Sequence, residues 1–593
     1  MPMEHTGQTP SSRRAVLGAG LAVAGSGLLA ACSGSGDGDS GRSGSHGADQ
    51  GAGPRGTAAP GRGHDEGGGI RERDGGGKRS RQLTFTARPS TVDLGGGRTF
   101  KTWTYDDELP GRVVRITAGD TLSLTLKNHL PESTTVHWHG IALRNDMDGV
   151  PFVTQPPIEP GESFSYRYEV PHAGTYWFHP HQGVQVDRGT YAPLIVDDPR
   201  EPLSYDHEWI IMLDDWIDGV DGSTPDDVFF QLSKGKKMVH DPGYGHHGGG
   251  GGHDGDRSGS GSGPGSSARA GAKPSGAVGA GGGALRDDDP KNDDPSARRR
   301  PRGPRRVMTG AHSSLLGHAG DIAYPYYLIN GRTPDFPTQF KAKPGDRIRL
   351  RIINAGGETA FRVALGGHRF TVTHTDGFPV RPYKTDALLM GMGERYDVLI
   401  TAKDGVFPLT ALAEGKHGSA MAVLRTSGGR APGPRTRPRE LYRDVLTSAA
   451  KLRPDESVAL PRRGKPDRLI KLKLTGGMAK YDWAFDNRPY DPDTIHRIEY
   501  GERVRLVVIN VTDMWHPVHL HGHTFALADI LSHGARKDTA AVLPHHKLVL
   551  DFDADNAGAW MLHCHNIYHA ESGMMTTVAY RDRRGRGRGR GRG

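Results

Sequence analysis

The 593-residue chain has little cysteine and little apolar sequence. Its two cysteines, Cys32 and Cys564, exclude a disulfide framework. Hydrophobic residues make up only 35% of the chain, and no apolar run of about 20 residues recurs, which excludes a bundle of membrane helices. Glycine (86 residues) and proline (41 residues) are abundant instead. This balance indicates strands and turns, interrupted by segments that do not bury a core.

The sequence also has little net charge outside its C-terminal end. The formal net charge is +8, and the Arg-Gly tail 581–593 alone holds seven arginines and one aspartate. A tail of this kind gives the chain a basic isoelectric point although the rest of the protein is close to neutral. We therefore expect no specific nucleic-acid partner. The oligomeric state stays open at this level.

The first 32 residues have the pattern of an export signal. Arg13 and Arg14 precede a short apolar run, 15–31, that ends in Leu-Ala-Ala-Cys. This pattern is typical of twin-Arg export, and its ending resembles a bacterial lipoprotein box. We therefore expect an extracytoplasmic protein, anchored at the outer face of the membrane by a lipid on Cys32. The alternative is a membrane helix, although 17 residues with four glycines are short for a span. Residues 33–81 predict a disordered linker.

One strand pattern occurs three times after residue 82. Each copy begins with a turn glycine, alternates polar and apolar residues, and ends with asparagine; the copies are 119–128, 345–354 and 501–510. A further glycine follows each copy at a matching distance, at Gly140, Gly367 and Gly522. The alternation predicts half-buried strands, and the repeats predict an all-β chain of three homologous β-sandwich domains. The predicted domain boundaries are 82–200, 201–437 and 438–580.

The first and second copies are separated by a longer interval than the second and third. Residues 240–306 account for most of the excess and are rich in Gly, Ser, Ala and Arg. We therefore expect a disordered insert within the second domain. Its histidines either collect metal or belong to a solvated linker; they are His240, His246, His247 and His253.

Four His-x-His pairs stand out in the first and third predicted domains. Residues i and i+2 of a strand point to the same side, so each pair can aim two imidazoles into one cleft. The stretch that ends at 181 matches the stretch that ends at 565, which indicates equivalent strands facing one inter-domain space. The second domain has Ala364 and Gly366 at the equivalent positions, so we expect no copper there. The pairs are His137 and His139, His179 and His181, His519 and His521, and His563 and His565.

A second set of ligand-type residues surrounds Cys564. His516 precedes the third histidine pair by three residues, His569 follows the cysteine by five, and Met574 follows by another five. Two histidines, one thiolate and a weak methionine are the ligands of a blue-copper site. Structural zinc takes four ligands, often several cysteines, so copper fits this set better. Met574 alternatively packs in the core beside Met575.

The motifs HWHG, HPH, HPVHLHGH and HCHNIYHAESGMM, in this order, resemble the four copper motifs of multicopper oxidases. The resemblance spans about 82–238 and 307–580, and it implies three cupredoxin-like Greek-key domains with four copper ions: one type 1, one type 2 and two type 3. With its export signal, the chain resembles an actinobacterial cell-envelope branch linked to copper resistance. The implied type 1 ligands are His516, Cys564, His569 and Met574. The implied type 2 ligands are His137 and His519, and the implied type 3 ligands are His139, His179, His181, His521, His563 and His565.

The resemblance also implies a reaction. A reducing substrate gives single electrons to type 1 copper, and four of them reduce dioxygen to two waters at the type 2 and type 3 ions. Asp148 matches an acidic residue of the family that supplies protons, with a turn role as the alternative. The family often has another acid directly after the last type 1 histidine. Here that position is Ala570, and Glu571 follows as the second candidate.

Two reductants are compatible with these motifs. Cu(I) would make the protein a cuprous oxidase of copper tolerance, and a phenol would make it a laccase without that role. Soft thioethers suit Cu(I), and the candidates, with core packing as their alternative, are Met390, Met392, Met478 and Met514. The complete ligand set argues against a copper-free scaffold, and the type 3 pairs argue against a copper nitrite reductase.

Overall fold

The computed structural model describes residues 79–240, 303–461, 464–528 and 533–581. Within these ranges the chain is built almost entirely from strands, which form three pairs of facing sheets and one small hairpin. The prediction of an all-β fold with three cupredoxin-like sandwiches is confirmed. Two short α-helices accompany the strands, α1 (Pro225–Ser233) and α2 (Ile567–Ser572). No helix among the described residues is both long and apolar enough to cross a membrane.

The first sandwich packs the sheet β2-β1-β4-β6 on the sheet β3-β8-β7-β5. In β4, Leu122, Leu124 and Leu126 alternate with wetter positions and are fully buried, as the period-2 pattern predicts. Its strands are β1 (Ser80–Asp93), β2 (Thr99–Tyr105), β3 (Val114–Thr117), β4 (Thr121–Asn128), β5 (His137–His139), β6 (Ser163–Glu169), β7 (Gly174–His179) and β8 (Ala192–Asp197).

The second sandwich packs the sheet β12-β9-β14-β19-β16-β17 on the sheet β13-β21-β20-β15-β18-β22 and also carries the hairpin β10-β11. Its strands are β9 (His207–Trp216), β10 (His312–Ser313), β11 (Gly317–His318), β12 (Tyr326–Ile329), β13 (Gln339–Lys341), β14 (Arg347–Asn354), β15 (Phe361–Leu365), β16 (Phe370–Thr375), β17 (Phe378–Thr385), β18 (Ala387–Met390), β19 (Arg395–Thr401), β20 (Val406–Ala413), β21 (Ser419–Arg425) and β22 (Val445–Leu446).

The third sandwich packs the sheet β24-β23-β26-β31-β28-β29 on the sheet β25-β33-β32-β27-β30. Its strands are β23 (Arg468–Thr475), β24 (Ala484–Phe485), β25 (Ile495–Ile498), β26 (Arg503–Asn510), β27 (His516–Leu520), β28 (Phe525–Ala528), β29 (His533–Lys537), β30 (Thr539–Val542), β31 (Lys547–Asp553), β32 (Ala559–Cys564) and β33 (Met575–Tyr580). Short 3₁₀ turns lie at Asn145–Met147, Gln185–Asp187, Val220–Gly222, Arg439–Tyr442 and Ala449–Lys451.

The three sequence repeats become three equivalent central strands, β4, β14 and β26. Each one pairs in parallel with the first strand of its sandwich (β1, β9 or β23) and antiparallel with a later one (β6, β19 or β31). The closing asparagine of each repeat is buried and ties down the loop that follows. In the third sandwich, Asn510 donates to the carbonyls of Met514 and Val542 and accepts from the backbone of Thr512. This loop leads directly into the histidines of β27.

The glycines that follow the histidine strands also have a structural reason. Gly140 and Gly522 turn the chain with positive φ angles of 87° and 63°. A Cβ on Gly522 would lie only 2.2 Å from the Trp560 ring, and one on Gly140 would lie 2.2 Å from the Arg395 guanidinium. Only glycine adopts this backbone and leaves this space, so the turn fixes where each histidine pair ends.

Candidate metal centre

Eight imidazoles from the first and third sandwiches meet in one buried space. They belong to His137, His139, His179, His181, His519, His521, His563 and His565, which are at most 6% exposed. The strands pair so that His137 lies opposite His179 and His519 lies opposite His563. Across the domain boundary, the Nε2 atoms of His137 and His519 are 3.4 Å apart. The structure therefore brings together all four predicted histidine pairs.

Two further close contacts divide the remaining imidazoles into groups. Nδ1 of His139 lies 3.2 Å from Nε2 of His565, and Nε2 of His521 lies 3.1 Å from Nε2 of His563. His181 joins the latter pair, with the three ligand atoms within 4.8 Å of one another. Such convergence of three ring nitrogens is the spacing that a bound metal ion needs.

Hydrogen bonds to the main chain orient several of these rings. Because a carbonyl oxygen only accepts, each Nδ1 that contacts one carries the proton, and Nε2 keeps its lone pair for the shared space. The contacts join Nδ1 of His137 to the Asp148 carbonyl, of His179 to Pro180, of His519 to Asp538 and of His563 to Cys564, at 2.8–3.0 Å.

Some inward nitrogens have no hydrogen-bond partner among the described residues. They are Nε2 of His179 and both ring nitrogens of His181. Buried polar atoms of this kind are costly unless something satisfies them. Burial also keeps the rings neutral, since it lowers the pKa of His139, His179, His181, His521, His563 and His565 well below the ordinary value. Neutral imidazoles with unsatisfied lone pairs are suited to metal ions.

Asp148 lies on the outer side of this centre and is fully buried. Its Oδ2 atom is 2.8 Å from Nδ1 of His521, and its Oδ1 atom is 3.3 Å from Nδ1 of His137. Asp148 also closes a 3₁₀ turn by donating its backbone N–H to Asn145. The two sequence interpretations are therefore compatible, because the turn is what holds the carboxylate between two imidazoles.

A second buried acid, Asp538, was not found by sequence reasoning. Its carboxylate accepts two hydrogen bonds from Arg395, at 2.7 and 2.6 Å, and lies 3.1 Å from Nε2 of His139. Arg395, together with the imidazoles of His139 and His519, holds the pKa of Asp538 well below its usual range. An isolated acid after a basic residue carries no sequence signal, since its partner Arg395 is 143 positions away.

The second predicted set of ligands forms a separate, smaller site. Sγ of Cys564 lies 3.6 Å from Nδ1 of His516 and 3.9 Å from Nδ1 of His569, and the two nitrogens are 3.2 Å apart. Met574 is fully buried, and its backbone carbonyl accepts from the Cys564 N–H at 3.1 Å. Burial raises the pKa of the Cys564 thiol to about 12, so only a bound cation would ionise it at neutral pH.

Helix α2 places His569 at this site, whereas Glu571 of the same helix lies outside the site and contacts His240. Asn566 caps the helix by accepting from the backbone of Tyr568 and His569. Glu571 is buried and lies 2.7 Å from Nδ1 of His240. His240 belongs to the start of the predicted insert, and its ring contacts that of His181 at 5.6 Å between centroids. Glu571 thus reaches the eight-imidazole centre through His240.

The outer edge of His569 contacts two residues that sequence reasoning missed. The Trp483 ring packs on it, with centroids 4.3 Å apart. The Oδ2 atom of Asp321 lies 3.6 Å from its Nε2 atom. Burial raises the pKa of Asp321, and neither of its carboxylate oxygens has a hydrogen-bond partner among the described residues. Neither residue stands in a motif, so only the tertiary structure identifies them.

The second sandwich supplies no residue to the three-residue metal-type groups found in the described part of the chain. It does close one side of the centre: a Cβ on Gly393 would lie 2.8 Å from the His139 ring. Met390 and Met392 are fully buried in its core, and Met514 is almost so. Cys32, residues 33–78 of the predicted linker and residues 241–302 lie outside the described residues, and with them the remaining insert histidines, whereas β1 already begins at Ser80.

Comparison with known sequences matches most of the chain. Three family profiles, each described as multicopper oxidase, match residues 86–201, 312–429 and 463–584. The chain is 45% identical to multicopper oxidase MmcO of Mycobacterium tuberculosis, over 84% of this chain and 86% of that protein. It is 28% identical to copper resistance protein A of Escherichia coli, over 84% of this chain and 92% of that protein.

Solved structures share the fold. Fet3p, described as a multicopper oxidase that functions in iron import, aligns with a TM-score of 0.63 at 20% identity, over 85% of this chain and 90% of that one. A multicopper oxidase of Campylobacter jejuni, described as a metallo-oxidase, aligns with a TM-score of 0.57 at 20% identity, over 86% and 93%.

Proposed function

The chain belongs to the multicopper oxidase family, and from that premise we propose that it is an extracytoplasmic cuprous oxidase. As a multicopper oxidase it is an oxidoreductase with dioxygen as the electron acceptor and four copper ions as cofactor. The single observation that carries the proposal is the pair of neighbouring sites: eight buried imidazoles in one space, and a cysteine thiol with two imidazoles beside it. Both donor sets fit copper, because imidazole and thiolate are its preferred protein ligands.

The ligand assignment combines the order of the family motifs with the close contacts among the ring nitrogens. His137 and His519 would hold the type 2 ion, with their Nε2 atoms 3.4 Å apart. One type 3 ion would belong to His181, His521 and His563, and the other to His139, His179 and His565. His516, Cys564 and His569 would hold the type 1 ion, with Met574 as a weak fourth ligand. When bound, these ions take single electrons from a reductant and deliver four of them to dioxygen, which leaves as two waters.

The chain itself connects the two sites. Cys564 lies between His563 and His565 in the sequence. Two covalent routes therefore lead from its sulfur to the eight-imidazole centre, and each passes through one peptide unit. The short covalent route favours fast electron transfer between sites that stay chemically separate. Both sites are buried, and dioxygen is therefore reduced away from the substrate.

Two acids are positioned to handle protons. Asp148 has a buried Oδ1 atom that has no hydrogen-bond partner among the described residues and lies 3.3 Å from Nδ1 of His137. Its Oδ2 atom accepts from His521 and therefore keeps contact with the centre. Glu571 stands one residue further along the chain than the acid that is usual in the family. His240 connects it with the centre, because the His240 ring contacts both Glu571 and the ring of His181. Each carboxyl is a general acid for water formation.

Copper-loaded protein should consume dioxygen with Cu(I) as the reductant and be slower with a simple phenol such as dimethoxyphenol. Oxygen uptake at matched reductant concentrations measures this. The reverse preference would make the protein a laccase and leave copper tolerance without support. No uptake with either reductant, despite four bound copper ions, would favour a non-enzymatic scaffold role and overturn the proposal.

Cys564→Ser should remove the blue absorption band and oxygen uptake while the other three copper ions remain bound. Cys32→Ser is the matched control, since it removes the other thiol and should leave both properties unchanged. Metal analysis of the two variants distinguishes lost electron entry from lost folding. Turnover by Cys564→Ser at the parent rate would contradict the role given to this residue.

We also propose twin-Arg export followed by lipid attachment to Cys32. The support is the sequence pattern alone, because these residues lie outside the described structure. Replacing Arg13 and Arg14 by lysine should retain the protein in the cytoplasm, and Cys32→Ser should release it from membranes. A membrane-bound Cys32→Ser variant would argue for a spanning segment instead.

A further inference from the structure

A surface cavity of about 410 Å³ is lined by residues of the second and third sandwiches. Its polar lining consists of His312, His318, Asp513 and His545, without a lysine or arginine. The cavity forms where hairpin β10-β11 of the second sandwich meets two loops of the third. His318 bridges to the backbone beside Met514, two residues before the predicted ligand His516.

The hairpin places two imidazoles on one face. His312 and His318 are direct cross-strand partners, and residues opposite each other in an antiparallel pair have Cβ atoms about 4.5–5.5 Å apart on the same side. His312 is exposed and His318 is half-buried. From the facing loops, Nε2 of His545 lies 2.9 Å from the Asp513 carboxylate, which leaves Nδ1 of His545 for another partner. Three imidazoles and a carboxylate thus border one opening.

A buried carboxylate connects this cavity with the predicted type 1 ligand. Asp321 is fully buried, and its Oδ1 atom lies 3.6 Å from Nδ1 of His318. Its Oδ2 atom lies 3.6 Å from Nε2 of His569. Neither oxygen has a hydrogen-bond partner among the described residues, which is unusual for a buried carboxylate. Its negative charge favours a cation at the cavity, and its two oxygens lie near His318 on one side and His569 on the other.

We propose that this cavity is the docking site for Cu(I) as substrate, with His312, His318 and His545 as ligands and Asp513 and Asp321 as the charges that attract the ion. The inference rests on the proposed function and adds the place where the reductant binds. One Cu(I) loses one electron there and leaves as Cu(II), and the electron enters through the His569 edge. Four such events, with four protons, reduce one dioxygen to two waters.

The test uses the copper-loaded, full-length enzyme and the double variant His312→Ala/His545→Ala. Both replaced side chains are exposed, so the fold and the blue band should persist. The matched control is His546→Ala, an exposed neighbour that does not line the cavity. Titration with silver(I), a redox-inert analogue of Cu(I), should show one bound ion fewer in the double variant than in the control. The kcat/KM for Cu(I) should fall at least about tenfold, as for the loss of metal-binding groups, while kcat/KM for dimethoxyphenol stays unchanged.

The outcomes separate this inference from the proposed function. Unchanged silver binding, or an unchanged kcat/KM for Cu(I), would overturn the cavity as the docking site. Equal losses with Cu(I) and phenol would make the histidines structural and also overturn it. If the unmodified enzyme consumes no dioxygen with either reductant, the proposed function itself fails, whatever the silver titration shows.

Discussion

Replacing Asp538 by asparagine tests whether the buried network behind the histidine centre stabilises the fold. In the native protein this carboxylate accepts two hydrogen bonds from Arg395 and one from Thr539. It also lies 3.1 Å from Nε2 of His139. Arg395 and Asp538 are both fully inaccessible to solvent. The asparagine side chain has nearly the same shape but no charge, and it offers one acceptor oxygen instead of two. At least one guanidinium N–H would then face an amide NH₂.

The magnitude follows from burial. Each charge-assisted hydrogen bond is worth about 1.5–3 kcal/mol, and removing one partner of a buried ion pair typically costs about 3–5 kcal/mol. Asp376 lies 3.7 Å from the same guanidinium and offsets part of the uncompensated charge. We therefore expect Asp538→Asn to lower the free energy of unfolding by about 3 kcal/mol, at the lower end of that range.

Chemical denaturation of the copper-free protein measures this change without a contribution from metal binding. The matched control is Glu502→Gln, which makes the same acid-to-amide change in the bidentate pair with Arg468. That pair is 16% and 25% exposed, so we expect a loss of only about 0–1 kcal/mol. If the two variants lose equal stability, the burial argument is wrong, and Asp538 has no special structural role behind His139.

Three further predictions concern the centre and the pH response. Gly393→Ala should lower copper occupancy of the histidine centre, because the new Cβ would lie 2.8 Å from the His139 ring. Gly345→Ala is its control, since Gly345 has a similarly positive φ but open space around the position of a Cβ. Equal copper contents in the two variants would refute the steric argument. Asp148→Asn should keep the blue band but slow dioxygen reduction, most clearly at high pH where protons are scarce, and an unchanged pH–rate profile would exclude a proton role. Two arginines lower the pKa of buried Asp397. Its contribution to stability is therefore present above the unfolded-state pKa of about 4 and is lost as the pH falls below that value. Asp397→Asn should flatten this acid dependence of the unfolding free energy, and an unaltered slope would contradict the role of Asp397.

Much of the fold follows from local sequence patterns. The three strand repeats predict three sandwiches because a period-2 alternation buries one face whatever the neighbouring strands are. The His-x-His pairs predict the centre for the same reason, since two residues apart on a strand is a purely local geometry. The spacing around Cys564 works similarly: a capped turn of helix returns His569 to the cysteine over five residues.

The residues that sequence reasoning missed all act across long separations. Asp538 meets Arg395 across 143 positions. Asp321 meets His569 from another domain. None of these residues stands in a periodic or spaced pattern, so nothing local distinguishes it from a surface charge.

The sequence by itself determined the strands, their histidine faces and the kinds of metal ligand, because these depend on local backbone geometry and side-chain chemistry. The tertiary structure decided which faces meet, which carboxylates are buried beside the imidazoles and where a cavity reaches the Cys564 site. Those properties depend on how three sandwiches pack. Burial in that packing lowers the pKa of the imidazoles of the centre, and the buried Arg395 holds the pKa of Asp538 below its usual range.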